Sequence, residues 1–176
     1  MDRAADKIKQ GSAIAKAHCA IALGSNLGES KNILEEAIKQ IQSNPEIELL
    51  KTSSFYKTKP IGPPQPDYLN GCIIIQTTIE PEELLNLLLK IEKKFGRQRT
   101  EKWGARTLDL DIIFYHNLII DIHHLQIPHP LMRQRPFVLV PLIEIAPQWQ
   151  DPLTGLTITQ LHNKLAYNPD DIRKIS

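Results

Sequence analysis

The 176-residue chain predicts an α+β fold, an antiparallel sheet with helices packed on it. Three observations carry that prediction. Two stretches have helical apolar spacing. Four others alternate or run β-branched, as strands do. Turn residues separate them in the order β-α-β-β-α-β, with a tail of shorter strands and helices behind.

Residues 1–17 carry Lys7, Lys9 and Lys16 and hold no unbroken apolar core. They fail as a secretory signal and are expected to be a disordered extension, with 18–176 as a single domain. Cys19 to Leu23 reads as the first strand. Gly24-Ser25-Asn26-Leu27-Gly28 turns the chain, and Ser30 is placed to cap a helix striped by Ile33, Leu34, Ala37, Ile38 and Ile41. Ile47 to Tyr56 is a second strand. Lys57 to Leu69 holds Pro60, Pro63, Pro64 and Pro66, which stiffen a loop and exclude regular structure. Asn70 to Ile79 is a third strand. Pro81 opens a second helix, Glu82 and Glu83 suit its positive end, and Leu84, Leu88, Ile91 and Phe95 line one face up to the stop at Gly96. Arg97 to Gly104 is expected to be a mobile polar loop before a fourth strand at Leu108 to Tyr115. His116-Asn117 then turns into an extended piece at Leu118 to Ile120. Phe137 to Ile145 and Leu156 to Leu165 close the chain as short helices. This order is the ferredoxin-like split βαβ arrangement, with its helices on one face of the sheet.

Bulk composition narrows the function. Net charge is +1, so neither a nucleic-acid footprint nor a membrane-surface footprint is implied. No apolar run is long enough to span a bilayer. Cys19 and Cys72 sit in apolar runs and read as small buried hydrophobes, usage that fits a reducing cytosol.

Charge is concentrated locally instead. Between Lys93 and Arg106 lie six basic residues and one acid, Glu101. Directly after comes Leu108-Asp109-Leu110-Asp111-Ile112. Along a strand Leu108, Leu110 and Ile112 turn one way, and Asp109 and Asp111 the other. Two carboxylates roughly 6–7 Å apart on one surface suit a hard divalent cation. The bland alternative is a solvated acidic edge strand. Arg97, Arg99, Lys102 and Arg106 just upstream tip the balance, because acidic metal ligands beside cations are the layout of a phosphoryl-transfer site. In the proline loop, Tyr68 offers a stacking face and Asn70 a donor and an acceptor, a pair that can read a flat heterocycle. His116, His123, His124 and His129 match no zinc spacing. Gly24 to Gly28 lacks the Gly-Lys-Ser/Thr ending of a phosphate-binding P-loop.

Taken together, these residues resemble the 6-hydroxymethyl-7,8-dihydropterin pyrophosphokinase family of folate biosynthesis. The resemblance runs from about Cys19 to Pro147. It rests on Leu23-Gly24-Ser25-Asn26-Leu27-Gly28, on Ser53-Ser54-Phe55-Tyr56 through Pro66-Asp67-Tyr68-Leu69-Asn70, and on Trp103-Gly104-Ala105-Arg106-Thr107-Leu108-Asp109-Leu110-Asp111. Ile127-Pro128-His129-Pro130 and Pro141 to Pro147 also fit.

That resemblance implies a magnesium-dependent transferase, a cytoplasmic monomer, that moves the β,γ-diphosphate of ATP to the pterin hydroxymethyl oxygen and releases AMP. Asp109 and Asp111 would hold two magnesium ions bound with ATP. Thr58, Ile61, Tyr68, Asn70, Trp103 and Phe137 would form the pterin pocket, the ring lying between Tyr68 and Phe137. Glu92, Arg99, Lys102, Trp103, Arg106, Ile112, His129 and Arg135 would lie along the nucleotide, with Arg99 and Arg106 acting in catalysis. Lys102 stands where an arginine is common in the family, and His124 and Gln126 stand where its best-known bacterial form has arginine and threonine.

Two rival readings are a metal-dependent phosphodiesterase or nuclease on the same aspartates, and a non-catalytic RNA-binding module. The second needs exposed aromatics on adjacent strands, and aromatic content is only 6%.

Overall fold

The computed structural model describes residues 15–60, 62–96 and 107–175. The described chain runs β1 (Ala17–Ser25), α1 (Ser30–Gln42), β2 (Ile47–Thr52), β3 (Tyr56–Thr58), β4 (Tyr68–Thr77), α2 (Pro81–Lys94) and β5 (Asp109–Tyr115). The hairpin β6 (Ile120–Ile122) and β7 (Leu125–Ile127) follows, then α3 (Pro136–Ile145), α4 (Ile158–Lys164) and β8 (Ile172–Lys174). The main sheet is six-stranded and antiparallel in the order β5-β1-β4-β3-β8, with β2 also on β4. Counting β2 and β3 as one interrupted strand gives the ferredoxin-like core.

Both long helices form for the reasons their sequences give. Leu34, Ala37, Ile38 and Ile41 of α1 are buried at helical spacing. Ser30 is the first helical residue rather than its cap; Glu29 holds the cap position, and the Ser30 hydroxyl accepts from Ser25 Oγ at 3.1 Å. In α2, Pro81 sits at the start, Glu82 and Glu83 in the first turn, and Lys93 and Lys94 in the last. Gly96 then takes a φ of +74° and ends the run.

The helices do not share one face. α1 and α2 cover a core that includes Ile21, Leu23, Ile73, Ile75, Leu110, Ile112 and Tyr115. On the opposite face α3 and α4 cover Ala20, Ala22, Cys72, Ile74, Ile113 and Phe114. The α3 sequence is apolar on all sides, so its periodicity could not announce which surface it covers.

Three strands also depart from expectation. The single strand foreseen at Ile47 to Tyr56 is broken at Ser53–Phe55. There the ring of Phe55 takes the space beside Gly71, where a Cβ would lie 2.9 Å from Phe55 Cδ1. Ser53 bridges the break: its Oγ accepts from Cys72 N–H at 2.9 Å. The extended piece foreseen at Leu118 to Ile120 is the β6–β7 hairpin, shifted a few residues on. β8 was not foreseen; it pairs Ile172 with Thr58 and Lys174 with Tyr56.

On β5, Ile112 pairs with Ile21 and Phe114 with Ala20, so Ile113 is an extra, bulged residue. The bulge resets which face each side chain meets. The last residues, Phe114 and Tyr115, can therefore fill opposite cores without turning the aspartates inward.

Beyond α3 the tail is held by a fully buried Asp151, which accepts from Arg133 at 2.6 and 2.9 Å and from Thr154 Oγ1 at 2.8 Å. Burial pushes the Asp151 carboxyl up, but these donors outweigh it and leave it below the usual carboxylate range. Cys19 and Cys72 are buried free thiols, each pushed up by burial, as their apolar settings foretold. Among the described residues no helix is long and apolar enough to cross a membrane.

Candidate active site

Strand register assembles one row of side chains across an end of the sheet. Gly24 pairs with Asp109 on one side and with Asn70 on the other, and Asn70 pairs with Tyr56. Directly opposed residues in antiparallel strands project to the same face. The row lies on the face that α3 covers, past the point where the apolar packing stops. Neighbouring strands are about 4.8 Å apart, so the Asp109 and Asn70 backbones stand roughly 10 Å apart.

The acidic end is built as its alternation foretold. Leu110 and Ile112 are buried at 4% and 5% exposure, and the half-buried Asp109 and Asp111 take the other face. Glu92, expected along the nucleotide, is buried in α2 at 4% exposure. Its Oε2 accepts from Leu110 N–H at 2.7 Å, the amide of the residue between the two aspartates. Glu92 therefore braces the acidic strand. Ile112, also expected along the nucleotide, has its side chain in the α1/α2 core, so only its main chain can border the site.

The other end is a polar nook. Asn70 Nδ2 donates to Thr58 Oγ1 at 2.7 Å, both residues being 6% exposed. Tyr68, half-buried, begins β4 beside them. Asn26 reaches from the β1–α1 turn to the proline loop, donating to Gln65 Oε1 at 2.8 Å and to the Pro66 carbonyl at 2.9 Å. These two bonds tie Gln65 and Pro66 to the β1–α1 turn.

A third wall comes from the segment between β7 and α3. His129 N–H donates to the Ile113 carbonyl at 3.1 Å, which ties it to β5 two residues from Asp111. Its Nδ1 accepts from Leu131 N–H at 3.2 Å, leaving Nε2 as the ring's donor. Burial, with Arg135 adding to it, lowers the His129 pKa to about 4, so the ring is neutral near pH 7. The Arg135 guanidinium lies 5.4 Å from the Phe137 ring centroid. Val138, next to Phe137, accepts a weak bond from Cys72 Sγ at 3.7 Å, which seats this end of α3 two residues from Asn70 along β4.

The register thus brings Asp109, Asp111, Thr58, Tyr68 and Asn70 to one end of the sheet. It also sets His129, Arg135 and Phe137 on the segment that packs over it. Ile61, Arg97, Arg99, Lys102, Trp103 and Arg106 lie outside the described residues. His124 and Gln126 are engaged elsewhere, with Glu82 at 3.1 Å and Asp121 at 3.0 Å.

Sequence reasoning missed Glu144. It accepts from Tyr56 Oη at 2.7 Å, Ser54 Oγ at 3.0 Å and Ser54 N–H at 3.1 Å, fastening the last turn of α3 to β3. Burial raises its pKa, but Tyr56, Ser54 and nearby Lys174 outweigh that and lower it overall. No local pattern marks such a residue, because its partners lie about 90 positions away.

Residues 20–147 match the family model described as 7,8-dihydro-6-hydroxymethylpterin-pyrophosphokinase. A 2-amino-4-hydroxy-6-hydroxymethyldihydropteridine pyrophosphokinase of Synechocystis is 52% identical over 141 residues, 80% of this chain and 72% of that protein. One of the same name from Haemophilus influenzae is 46% identical over 156 residues, 85% of this chain and 97% of that one. Among solved structures, an HPPK-DHPS in complex with substrates superposes with a TM-score of 0.68 at 15% identity, over 85% of this chain and 43% of that chain. Plasmodium falciparum HPPK-DHPS with pteroate gives 0.68 at 14% identity, over 85% and 42%. The chain thus spans less than half the length of those two solved chains, and at that identity they speak to the fold alone. Matched along most of its length by the family model and by near relatives, the chain belongs to the 7,8-dihydro-6-hydroxymethylpterin-pyrophosphokinase family.

Proposed function

We propose that this pyrophosphokinase of folate biosynthesis works as a magnesium-dependent cytoplasmic monomer. It transfers the β,γ-diphosphate of ATP to the hydroxymethyl oxygen of 6-hydroxymethyl-7,8-dihydropterin and releases AMP. The observation that carries the reading is the row Asp109–Gly24–Asn70. It sets a pair of carboxylates and a heterocycle-reading amide on one face, roughly 10 Å apart in backbone.

Asn70, held by Thr58, reads the edge of the pterin, and Tyr68 and Phe137 cover the ring's faces. Ile61 and Trp103 complete that pocket. At the other end Asp109 and Asp111 fit magnesium by donor chemistry: two hard carboxylate oxygens on one face, leaving positions for phosphate and water. They would hold the ions that come with the triphosphate. Bound there, such ions neutralise phosphate charge and lower the pKa of a coordinated hydroxyl. Glu92 keeps the acidic strand in register through Leu110. Neutral His129 donates from Nε2, Arg135 adds a fixed positive charge, and Lys102 supplies a point charge along the nucleotide. Arg99 and Arg106 spread the charge that develops as the pterin oxygen attacks the β-phosphorus and AMP leaves opposite. No side chain is required as a strong base, since placement and charge stabilisation carry most of a phosphoryl transfer.

The test is the nucleotide product. Purified protein given ATP, magnesium and 6-hydroxymethyl-7,8-dihydropterin should form AMP and pterin diphosphate in equal amounts. ADP as the product, or phosphate release without pterin, would replace this reading with a simple kinase or a hydrolase.

A further inference from the structure

The amide of Asn70 is placed from both ends. Its nitrogen donates to Thr58 Oγ1 at 2.7 Å, toward β3. Its oxygen lies over β1, 2.7 Å from the point a Cβ on residue 24 would occupy, and Tyr68 Cδ1 lies 3.7 Å from that same point. Non-bonded atoms do not approach a Cβ that closely. Gly24 sits in a strand with extended neighbours on both sides, so no turn or positive φ calls for glycine there. A glycine inside a strand weakens it unless something approaches its bare Cα. Here the approaching group is the carboxamide assigned to the pterin edge.

We infer that Gly24 is a positioning residue for the pterin: it leaves the space over β1 that the Asn70 carboxamide oxygen occupies while the nitrogen donates to Thr58. The inference rests on the assignment of Asn70 to the pterin pocket. A methyl at 24 must displace the amide, because the other contact is an aromatic edge and the strand backbone is paired on both sides. The displaced amide loses either its bond to Thr58 or its alignment with the ring. Gly71 is the counter-case in the neighbouring strand. A Cβ there would meet the ring of Phe55 at 2.9 and 3.2 Å, inside the core, so its glycine serves packing.

Gly24→Ala should lower kcat/KM for 6-hydroxymethyl-7,8-dihydropterin at saturating ATP at least tenfold, through KM. Affinity for a non-hydrolysable ATP analogue should stay within twofold, and thermal unfolding within a few degrees. In an Asn70→Ala background the same change should alter the slope of rate against pterin by less than twofold. Loss of the same size in both backgrounds would overturn the inference, as would unchanged kcat/KM or equal loss of ATP-analogue affinity. If Gly24→Ala does not fold, the amide is not the group that yields, and the inference also falls. Thr58→Val, which releases the amide nitrogen while keeping side-chain volume, is the second variant; unchanged pterin KM in it counts against a held carboxamide. A wild-type protein that makes no AMP from ATP and pterin refutes the assigned reaction instead.

Discussion

The two faces of the sheet are made by the same strands and do different work. Under α1 and α2 the face is apolar along its described length, from Ala17 at one end of β1 to Leu23 near the other. Under α3 and α4 it is apolar only in the middle, where Ala20, Ala22, Cys72 and Ile74 lie, with His18, Glu48 and Gln76 at one end. At the other end the alternating positions become Gly24, Asn70, Asp109 and Asp111. The first face packs β1, β2, β4 and β5 against α1 and α2, so the second is free to carry charge and open polar groups at strand ends. A change on the first face should therefore alter folding and leave the chemistry of the surviving folded protein intact. A change at the open end of the second should do the reverse.

The largest expected effect comes from the open end. Asp111→Asn keeps the size of the side chain and removes its charge. It should lower kcat by about a thousandfold, roughly 4 kcal/mol of transition-state stabilisation. Its unfolding midpoint should stay close to wild type in the same preparation. Wild-type turnover in that variant would remove Asp111 from the reaction, and a collapsed midpoint would erase the distinction between the faces.

Ile73→Ala tests the closed face. Ile73 is fully buried under α1 and α2, and truncating it should cost about 3 kcal/mol in urea unfolding. The kcat of the folded fraction should remain within about twofold. A large fall in kcat at full folding would show that the two faces are coupled.

The smallest effect concerns His129, which borders the open end. Its folded pKa of about 4 lies below its ordinary 6.5, so the unfolded chain binds a proton first as pH falls. Stability should drop between pH 6.5 and about 4 and level off below. His129→Gln cannot titrate there. Its loss of unfolding free energy between pH 7 and 4.5 should be smaller than wild type's by on the order of 1 kcal/mol, after allowance for the ring's partial exposure. Equal pH dependence would mean that the ring titrates at its ordinary value in the folded protein.

The closed face was largely legible in the sequence, because α1 and α2 show one-sided apolar periodicity and the strands beneath them are apolar runs. The other face was less so. α3 is apolar all round, and β8 is three residues long, too short for alternation to register. The acidic pair was legible because two carboxylates at strand spacing are a local signal. Glu92 as a brace, the Thr58–Asn70 bond and the tightness at Gly24 were not. Each depends on which residue of one element falls beside which residue of another, and a bulge such as that at Ile113 moves strand pairings by one place.

The pairing of β3 with β8 also has a bearing on the order in which the molecule matures. β5, β1 and β4 draw on residues up to Tyr115, whereas Thr58 meets its outer neighbour only at Ile172. During synthesis the strands that present the carboxylates can assemble while β3 still has one bare edge. Such distant pairings form late, because the long intervening loop must close first. The edge of the sheet that holds Thr58 is therefore completed after the strands that carry Asp109 and Asp111.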